Sequence, residues 1–351
     1  MLIHVKRLPV NDLEHIFTHT LALWEEARGK RIFLSGATGF FGAWLLESLL
    51  HANRALNLNL SATVLTRDPE AFAGRMPHVA ADPTITLRRG HICKFDLPEF
   101  DFPYVVHAAA PTTAAASREP AALLQTLVDG TRNVLSLASR HNTRKFLYIS
   151  SGAVYGTQPP RISHLSEDYL GGPDWLDPNA AYAEGKRVAE HLCSAHAGRT
   201  DIEFKIARCF AFVGPGLPLD EHFAIGNFIG DALAGRNIAV HGDGTPMRSY
   251  LYAADLAIWL WTILFQANPS RSNLEVWNVG SAEALSIRDL ACMVAEEVHP
   301  GSAVNVGRTP APEAPLQQYV PDVRKAATEL GLQQTIDLRE AIRRTADWYR
   351  G

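Results

Sequence analysis

The chain has 351 residues, 47% of them hydrophobic and 20% charged, which is the composition of a folded protein and excludes a disordered, collagen-like or coiled-coil chain. A formal net charge of −4 argues against a surface that binds nucleic acid or any other polyanion. The four cysteines are scattered without a Cys-x-x-Cys pair, which argues against a zinc site or a disulfide framework and favours the reducing cytoplasm.

The predicted elements begin with a helix over residues 11–28, where apolar side chains recur at helical spacing ahead of the first strand. From residue 31 onward, short apolar runs alternate with longer helical patterns, which indicates parallel strands joined by right-handed helical crossovers. In chain order the predictions are strand Arg31–Ser35, helix Phe41–Leu50, strand Ser61–Thr66, strand Tyr104–His107, helix Ala121–Arg140, strand Lys145–Ser150, helix Tyr182–His196 and strand Phe204–Arg208. This pattern predicts an α/β fold with a Rossmann-type doubly wound parallel sheet.

Beyond about residue 210 the pattern is less regular and is broken by Pro/Gly-rich joints, which indicates a smaller C-terminal α/β lobe that binds the substrate. We therefore expect an N-terminal helical extension at residues 1–29, a dinucleotide-binding domain at 30–210 and a mainly substrate-binding lobe at 211–351. The most apolar segment, Ala257–Phe265, has about half the ~20 residues that a membrane span requires, so it predicts a buried helix. The start of the chain lacks the long apolar run of a signal peptide, so we expect a cytoplasmic protein that does not enter a membrane.

Three glycines, Gly36, Gly39 and Gly42, occupy the turn between the first predicted strand and its helix. Glycines there let the backbone bend sharply and approach a pyrophosphate, while the helix N-terminus offers unpaired N–H groups and a positive dipole end. The spacing is G-x-x-G-x-x-G, a variant of the general G-x-G-x-x-G fingerprint. The turn predicts dinucleotide binding; the alternative is a tight strand-to-helix turn without a ligand.

Arg67 follows the second predicted strand, at the tip where a dinucleotide ribose is recognised. An acidic residue at this tip would accept a hydrogen bond from the ribose 2′-hydroxyl of NAD, whereas a guanidinium can bind the 2′-phosphate of NADP. Arg67 therefore favours NADP over NAD. The alternative is that Arg67 is merely exposed beside a helix start formed by Asp68 as the N-cap and Pro69 as the first helical residue.

Tyr182 and Lys186 lie four residues apart and therefore on one face of a predicted helix. A cation beside a phenol favours the phenolate and lowers the phenol pKa, which suits a proton acceptor for a sugar hydroxyl. Alone, the pair is more often two solvated side chains. Ser150 and Ser151 strengthen the catalytic interpretation, because they end a predicted strand at the carboxyl edge of the sheet, where ligands bind in open α/β folds.

Taken with further motifs, the sequence from Arg31 onward resembles the extended short-chain dehydrogenase/reductase superfamily, specifically its NAD(P)-dependent nucleotide-sugar epimerase/dehydratase family. Within that family it looks most like UDP-glucuronate decarboxylases and dTDP-glucose 4,6-dehydratases. The segments that carry the resemblance are the glycine turn, His107-Ala108-Ala109-Ala110, Gly130-Thr131, Ser151, the Tyr182/Lys186 pair, Glu184–Glu190, Ser166–Tyr169, Arg208, Asn227-Phe228-Ile229, the Gly242–Arg248 loop and Pro321-Asp322.

The resemblance implies a hydride cycle at C4 of a sugar attached to a nucleoside diphosphate. In that cycle Tyr182 is the acid/base at the C4 oxygen, Lys186 lowers its pKa and holds the nicotinamide ribose, and Ser151 hydrogen-bonds the same oxygen. The implied cofactor contacts are Gly36, Thr38, Gly39, Phe40, Phe41, Gly42, Arg67, His107, Ala108, Ala109, Ser150, Tyr182, Lys186 and Phe210. The implied substrate contacts are Pro111, Ser151, Gly152, Asn227 and Arg248, of which Arg248 would bind the diphosphate or else be an ordinary exposed loop arginine.

The sequence departs from the family where proton carriers are usual, because Gly152 and Ala153 replace the Ser-Glu or Asp-Glu that follows the catalytic hydroxyl residue. Neither can move a proton, so elimination of water and decarboxylation both lose their usual acid and base. We therefore expect a 4-epimerase; the alternatives are a 4,6-dehydratase or decarboxylase that uses another acid such as Glu167, a 4-ketoreductase, and a catalytically silent dinucleotide-binding regulator.

Two expectations concern partners and metals. Family members are often homodimers that pair the helices predicted here at Ala121–Arg140 and Tyr182–His196, although the same apolar positions would also suit packing within one chain. The 14 histidines include no HExxH or paired ligand spacing, so we expect no metal site.

Overall fold

The computed structural model describes residues 6–111, 114–221, 223–267, 273–311 and 315–351. Of the predicted N-terminal extension, residues 1–5 therefore lie outside the described part of the chain.

Fourteen strands occur in this part of the chain, and seven of them form one large sheet. The strands are β1 (Arg31–Ser35), β2 (Ser61–Thr66), β3 (Ile85–Arg89), β4 (Tyr104–His107), β5 (Lys145–Ser151), β6 (Glu203–Cys209), β7 (Phe212–Val213), β8 (Ile238–Val240), β9 (Met247–Arg248), β10 (Leu251–Tyr252), β11 (Leu274–Val279), β12 (Leu285–Ser286), β13 (Val304–Val306) and β14 (Gln318–Tyr319). The large sheet has the order β3-β2-β1-β4-β5-β6-β11, and its strands from β3 to β5 pair in parallel. This is the doubly wound order, with its switch point between β1 and β4, so the predicted fold class is confirmed.

The helices mostly connect these strands, while the first precedes β1 and the last two follow β14. They are α1 (Val10–Thr20), α2 (Phe40–Leu56), α3 (Pro69–Arg75), α4 (Pro77–Ala80), α5 (Ala114–Ser117), α6 (Pro120–Arg140), α7 (Ala181–Ala197), α8 (Ala224–Leu233), α9 (Ala253–Phe265), α10 (Ile287–Val298), α11 (Arg324–Leu330) and α12 (Leu338–Arg350), with 3₁₀ helices at Leu21–Ala27, Gly152–Tyr155 and Pro178–Ala180. The predicted segment Ala257–Phe265 is buried within α9, as expected. None of the helices in the described residues combines the length and hydrophobicity that a membrane crossing requires.

The predicted strands and helices are all present, and their ends differ from the prediction by a few residues. Two further strands of the large sheet are not predicted from the sequence. These are β3 and β11, which form the two edges of the sheet. An edge strand has a neighbour on one side only and needs few buried apolar residues; in β3 only Ile85 is buried. The N-terminal helix also differs from its prediction, because α1 ends at Thr20 and the chain continues as a 3₁₀ helix to Ala27.

The chain forms two compact units, each assembled from three separate segments. The first contains residues up to 154, residues 174–208 and residues 257–277, and therefore most of the large sheet. The second contains residues 155–173, 209–256 and 278–351, with the small sheets β10-β7, β12-β9-β14 and β13-β8. The functional division at residues 1–29, 30–210 and 211–351 stays a prediction.

The N-terminal extension belongs to the core of the first unit. Trp24 is 0% exposed, and its ring lies 5.0 Å from that of Trp261 and 5.7 Å from that of Phe265, measured between centroids. Close by, the Lys145 amino group donates to the Glu26 carboxylate at 2.8 Å and to the backbone oxygen of Phe265 at 2.6 Å. The extension therefore joins the start of β5 to the end of α9.

We expect Trp24→Ala to lower the free energy of unfolding by about 3–5 kcal/mol, because it removes a fully buried ring and leaves a cavity against Trp261 and Phe265. Urea denaturation measures this change. The matched control is Leu21→Ala on the same 3₁₀ helix, where the side chain is 49% exposed and the expected loss is below about 0.5 kcal/mol. Similar losses in the two variants would show that the extension is not part of the core.

Candidate active site

Lys186 is the most constrained of the predicted catalytic residues. It is 2% exposed, and its Nζ donates a hydrogen bond of 2.6 Å to the backbone oxygen of Ile149 in β5. The same amino group lies 5.9 Å from the ring centroid of Tyr182 and 4.8 Å from that of Tyr148. Helix α7 thus presents the predicted Tyr182/Lys186 pair on one face, with the cation held at the end of β5.

Ser151 is the last residue of β5, and the turn that follows orients its hydroxyl group. The Ala153 N–H donates to the Ser151 Oγ at 3.1 Å, within the 3₁₀ helix that begins at Gly152. Because this contact uses the oxygen as an acceptor, the hydroxyl proton remains available to a ligand. Gly152 and Ala153 therefore form a tight turn at the strand end, and neither provides an acid.

The three predicted glycines have different surroundings in the turn from β1 into α2. Gly36 has φ +75°, and a Cβ built on it would lie 2.4 Å from the carbonyl carbon of Ala108; a Cβ on Gly42 would lie 2.2 Å from the Cα of Ala37. A Cβ on Gly39 would meet only the Gly36 oxygen, at 3.6 Å. Close packing against the neighbouring backbone thus requires glycine at positions 36 and 42. Gly39 is exposed and leaves open space at the N-terminus of α2.

His107 is buried at the end of β4, and both of its ring nitrogens have partners. Nδ1 lies 2.7 Å from the Ser35 hydroxyl and Nε2 lies 3.1 Å from the Thr131 hydroxyl, which itself donates to the Leu127 backbone oxygen. Burial lowers the His107 pKa to about 3, so the imidazole is neutral. His107 therefore connects β1 and β4 to α6, and its predicted cofactor contact would come from its backbone and the half-buried Ala108 and Ala109 that follow it.

Arg67 is exposed at the tip of β2, as predicted, and the alternative helix start is present beside it: the Asp68 side chain accepts from the backbone N–H of Ala71 at 2.9 Å. Sequence analysis missed a second arginine. Arg75, at the end of α3, donates to the backbone oxygen of Thr38 within the glycine turn. Its buried Nε finds no acceptor among the residues described, and burial lowers the Arg75 pKa. No motif marks Arg75, because its contact with Thr38 depends on the fold.

The half-buried Phe40 and Phe41 begin α2 with their ring centroids 5.9 Å apart. Ser150 is buried, and its hydroxyl donates to the Glu190 carboxylate at 2.5 Å. The half-buried Pro111 lies in the loop after β4. Phe210 belongs to the second unit, where its ring centroid lies 4.6 Å from that of Tyr319.

In the second unit, the structure brings two predicted substrate contacts together. Asn227 of α8 and Arg248 of β9 line one cavity of about 570 Å³, together with Asp231, Arg236 and His241. Arg248 is half-buried, so it is not an ordinary exposed loop arginine. The Asn227 amide and the Arg248 guanidinium suit phosphate oxygens, whereas the Arg236 guanidinium is paired with the Asp231 carboxylate at 2.8 Å.

Glu167, the predicted substitute acid, is engaged within the second unit. Its carboxylate accepts a hydrogen bond of 2.7 Å from the Asn278 backbone N–H, and burial raises its pKa. Asp168 beside it is exposed. Across the described residues, no three His, Cys, Asp or Glu side chains come together as a metal ion would require.

Helices α6 and α7, the predicted dimer surface, pack against each other within the chain. A Cβ on Gly185 would lie 2.6 Å from the Leu127 side chain, so the missing side chain at Gly185 provides the room that Leu127 fills. Leu124 and Val188 remain exposed at 37% and 38%. The homodimer stays a prediction.

The chain is similar to known proteins in sequence and in fold. The NAD dependent epimerase/dehydratase family matches residues 32–280. The chain is 29% identical to UDP-glucuronic acid decarboxylase 1 of Xenopus tropicalis, over 98% of this chain and 78% of that protein, and 29% identical to dTDP-glucose 4,6-dehydratase of Streptomyces antibioticus, over 91% and 92%. Among solved structures, UDP-glucuronic acid 4-epimerase of Bacillus cereus in complex with UDP-glucuronic acid and NAD superposes with a TM-score of 0.75 at 24% identity, covering 91% of this chain and 99% of that chain.

Proposed function

Because this chain belongs to the NAD dependent epimerase/dehydratase family, and is therefore an enzyme, we propose that it is a nucleotide-sugar 4-epimerase. The observation that carries the proposal is the turn after Ser151. Gly152 and Ala153 supply no carboxylate next to the catalytic hydroxyl, while Ser151, Tyr182 and Lys186 are all present. Hydride transfer at C4 needs only these three residues, whereas elimination at C5–C6 also needs proton carriers.

In the proposed reaction, the Tyr182 Oη takes the proton of the C4 hydroxyl during oxidation and returns it on reduction. Lys186, held by the Ile149 oxygen, favours the phenolate through its charge. Ser151 donates its free hydroxyl proton to the C4 oxygen. The small side chains after Ser151 leave room for the 4-keto sugar to turn over, so that reduction occurs on the opposite face.

The residues of the glycine turn fit a dinucleotide. The open space at Gly39 admits a pyrophosphate close to the backbone at the N-terminus of α2, and the unpartnered Arg75 Nε offers a donor to an anion beside Thr38. When bound, the nicotinamide supplies the hydride acceptor and donor for C4. In the second unit, we assign Asn227 and Arg248 to the diphosphate of the substrate.

We expect NADP to bind more tightly than NAD, because one guanidinium contact from Arg67 to the 2′-phosphate contributes about 1.5–3 kcal/mol, or roughly ten- to hundred-fold in affinity. Calorimetric dissociation constants for the two nucleotides measure this ratio. Arg67→Gln should abolish the preference, whereas Arg140→Gln, an exposed arginine at the end of α6, should retain it. Equal affinities in the parent protein, or tighter NAD, would contradict the assignment.

The reaction type is tested by incubating the enzyme with UDP-, dTDP-, GDP- and CDP-sugars and analysing the products by mass spectrometry and NMR. We expect a product of unchanged mass with inverted configuration at C4 and no net consumption of cofactor. Loss of water or CO₂ would contradict the epimerase, and a gain of two hydrogens with consumption of reduced cofactor would indicate a 4-ketoreductase. No turnover by a protein that binds the dinucleotide would indicate the regulator.

The second candidate is a dehydratase or decarboxylase, which the names of the similar sequences favour. Glu167 would then be the proton carrier, since its raised pKa suits an acid. If water or CO₂ is lost, Glu167→Gln should abolish that loss.

A further inference from the structure

A largely buried ion pair, Glu190 with Arg208, lies one helical turn beyond Lys186. Both oxygens of the Glu190 carboxylate accept from Arg208 of β6, Oε2 from Nη2 at 2.6 Å and Oε1 from Nε at 3.0 Å. Oε1 also accepts from the Ser150 hydroxyl at 2.5 Å. Ser150 and Glu190 are buried and Arg208 is half-buried, so this polar cluster lies mostly out of contact with solvent inside the first unit.

The cluster fixes the register between the strand and the helix that carry the catalytic residues. Lys186 binds the backbone oxygen of Ile149, and Glu190, four residues later on α7, binds the side chain of Ser150. Two consecutive residues of β5 are thus attached to two consecutive turns of α7, directly before Ser151. A shift of α7 along β5 would break both bonds, so the cluster maintains the separation of Ser151 from Tyr182.

The cluster also determines the local charge. The titratable groups that face this part of α7 are Lys186, Glu190 and Cys193 of the helix itself, Tyr148 of β5, His107 of β4 and Arg208 of β6. Burial raises the pKa values of the Tyr148 phenol and the Cys193 thiol, and it keeps His107 neutral. The charged groups among these are therefore two cations and the Glu190 anion, with a net charge of +1, and of them Lys186 lies 5.9 Å from the Tyr182 ring centroid.

We propose that Glu190 is a positioning residue of the active site. Paired with Arg208, it holds Ser150 so that Ser151 stays in register with Tyr182. The negative charge of Glu190 also limits how strongly the neighbouring cations acidify the Tyr182 phenol. The effect on catalysis rests on the proposed function, whereas the effect on the phenol does not. Glu190 lies eight residues after Tyr182, about 12 Å along the helix axis. At that separation, with an effective dielectric constant of about 20, one unit charge shifts the titration of the phenol by about one pH unit.

The experiment titrates the Tyr182 phenol by ultraviolet difference absorbance, comparing each protein with its own Tyr182→Phe counterpart. We expect Glu190→Gln to move the Tyr182 titration down by about one pH unit and to lower kcat more than it changes KM. The matched control is Asp201→Asn, which removes an exposed charge beyond the end of α7, where distance and solvent screening should leave the titration unmoved. Ser150→Ala changes no charge, so it should lower kcat without moving the titration.

An unchanged Tyr182 titration in Glu190→Gln, or an equal shift in Asp201→Asn, would overturn the proposal. If Glu190→Gln does not fold, Glu190→Asp decides the question: the retained charge must leave the titration in place while the shorter side chain lowers kcat, and a shifted titration overturns the proposal. A shift in Glu190→Gln without turnover of any nucleotide sugar would support the charge effect and count against the proposed function. Epimerase activity without a shift would support the proposed function and overturn the charge effect.

Discussion

Replacing Tyr182 by phenylalanine is expected to lower kcat by about 10²–10⁴-fold while the fold and the affinity for the dinucleotide remain unchanged. The substitution removes one hydroxyl group and keeps the ring, so the packing of α7 is retained. The Lys186 amino group is held 5.9 Å from the ring centroid, which leaves the phenol as the group that its charge acts on. Turnover of the sugar, thermal denaturation and calorimetric cofactor binding measure the three quantities.

The matched control for this variant is Tyr148→Phe. Tyr148 lies closer to the same amino group, with its ring centroid 4.8 Å from Lys186 Nζ, but the side chain is buried in the sheet. The same chemical change there should leave kcat within a few-fold of the parent. If Tyr182→Phe retains more than a few per cent of the parent turnover, or if the two variants lose equal activity, Tyr182 is not the acid/base.

The second large effect is expected at the glycine turn, where two similar substitutions should fail for different reasons. Gly42→Ala places a methyl group within 2.2 Å of the Ala37 Cα, so the turn must shift, and the free energy of unfolding should fall by about 3 kcal/mol or more. Gly39→Ala meets only the Gly36 oxygen at 3.6 Å, and its φ of −92° suits alanine. This variant should stay within about 1 kcal/mol of the parent but bind the dinucleotide about 100-fold more weakly.

Urea denaturation and calorimetric titration of NAD and NADP separate the two cases. Gly29→Ala serves as a control for alanine at a glycine outside the turn: nothing lies within 4 Å of its Cβ position, but its φ of +68° costs some backbone strain. Gly29→Ala should therefore lose stability and keep its cofactor affinity. Unchanged affinity in Gly39→Ala would show that the open space at the turn does not receive the pyrophosphate.

Those features of the fold that follow from short stretches of sequence are the predictable ones. The glycine spacing, the run of Lys145–Ser150 and the Tyr182/Lys186 pair are short-range patterns, and the turn, β5 and α7 all lie where they were predicted. Edge strands such as β3 give a weaker pattern because half of their surroundings is solvent or loop.

Contacts between distant segments escaped prediction for a different reason. Glu190 and Arg208 are 18 residues apart in sequence, and each lies in a segment that resembles the family without any sign that the two are paired. Their ion pair depends on how α7 packs beside β6. Arg75 reaches Thr38 across 37 residues. Such pairings are set by tertiary structure, and no spacing rule within a single sequence reports them.

The discontinuity of the first unit constrains how the chain acquires its structure during synthesis. Its segment at residues 257–277 is made about a hundred residues after the segment that ends at 154, and it supplies Trp261 and Phe265, against which Trp24 packs. At 5–20 residues per second, roughly 5–20 seconds of translation separate the two segments. Throughout that interval the nascent chain presents an indole and an unfinished apolar surface, so chaperone occupancy during translation is expected to concentrate on the N-terminal 150 or so residues and to fall once Phe265 leaves the ribosome.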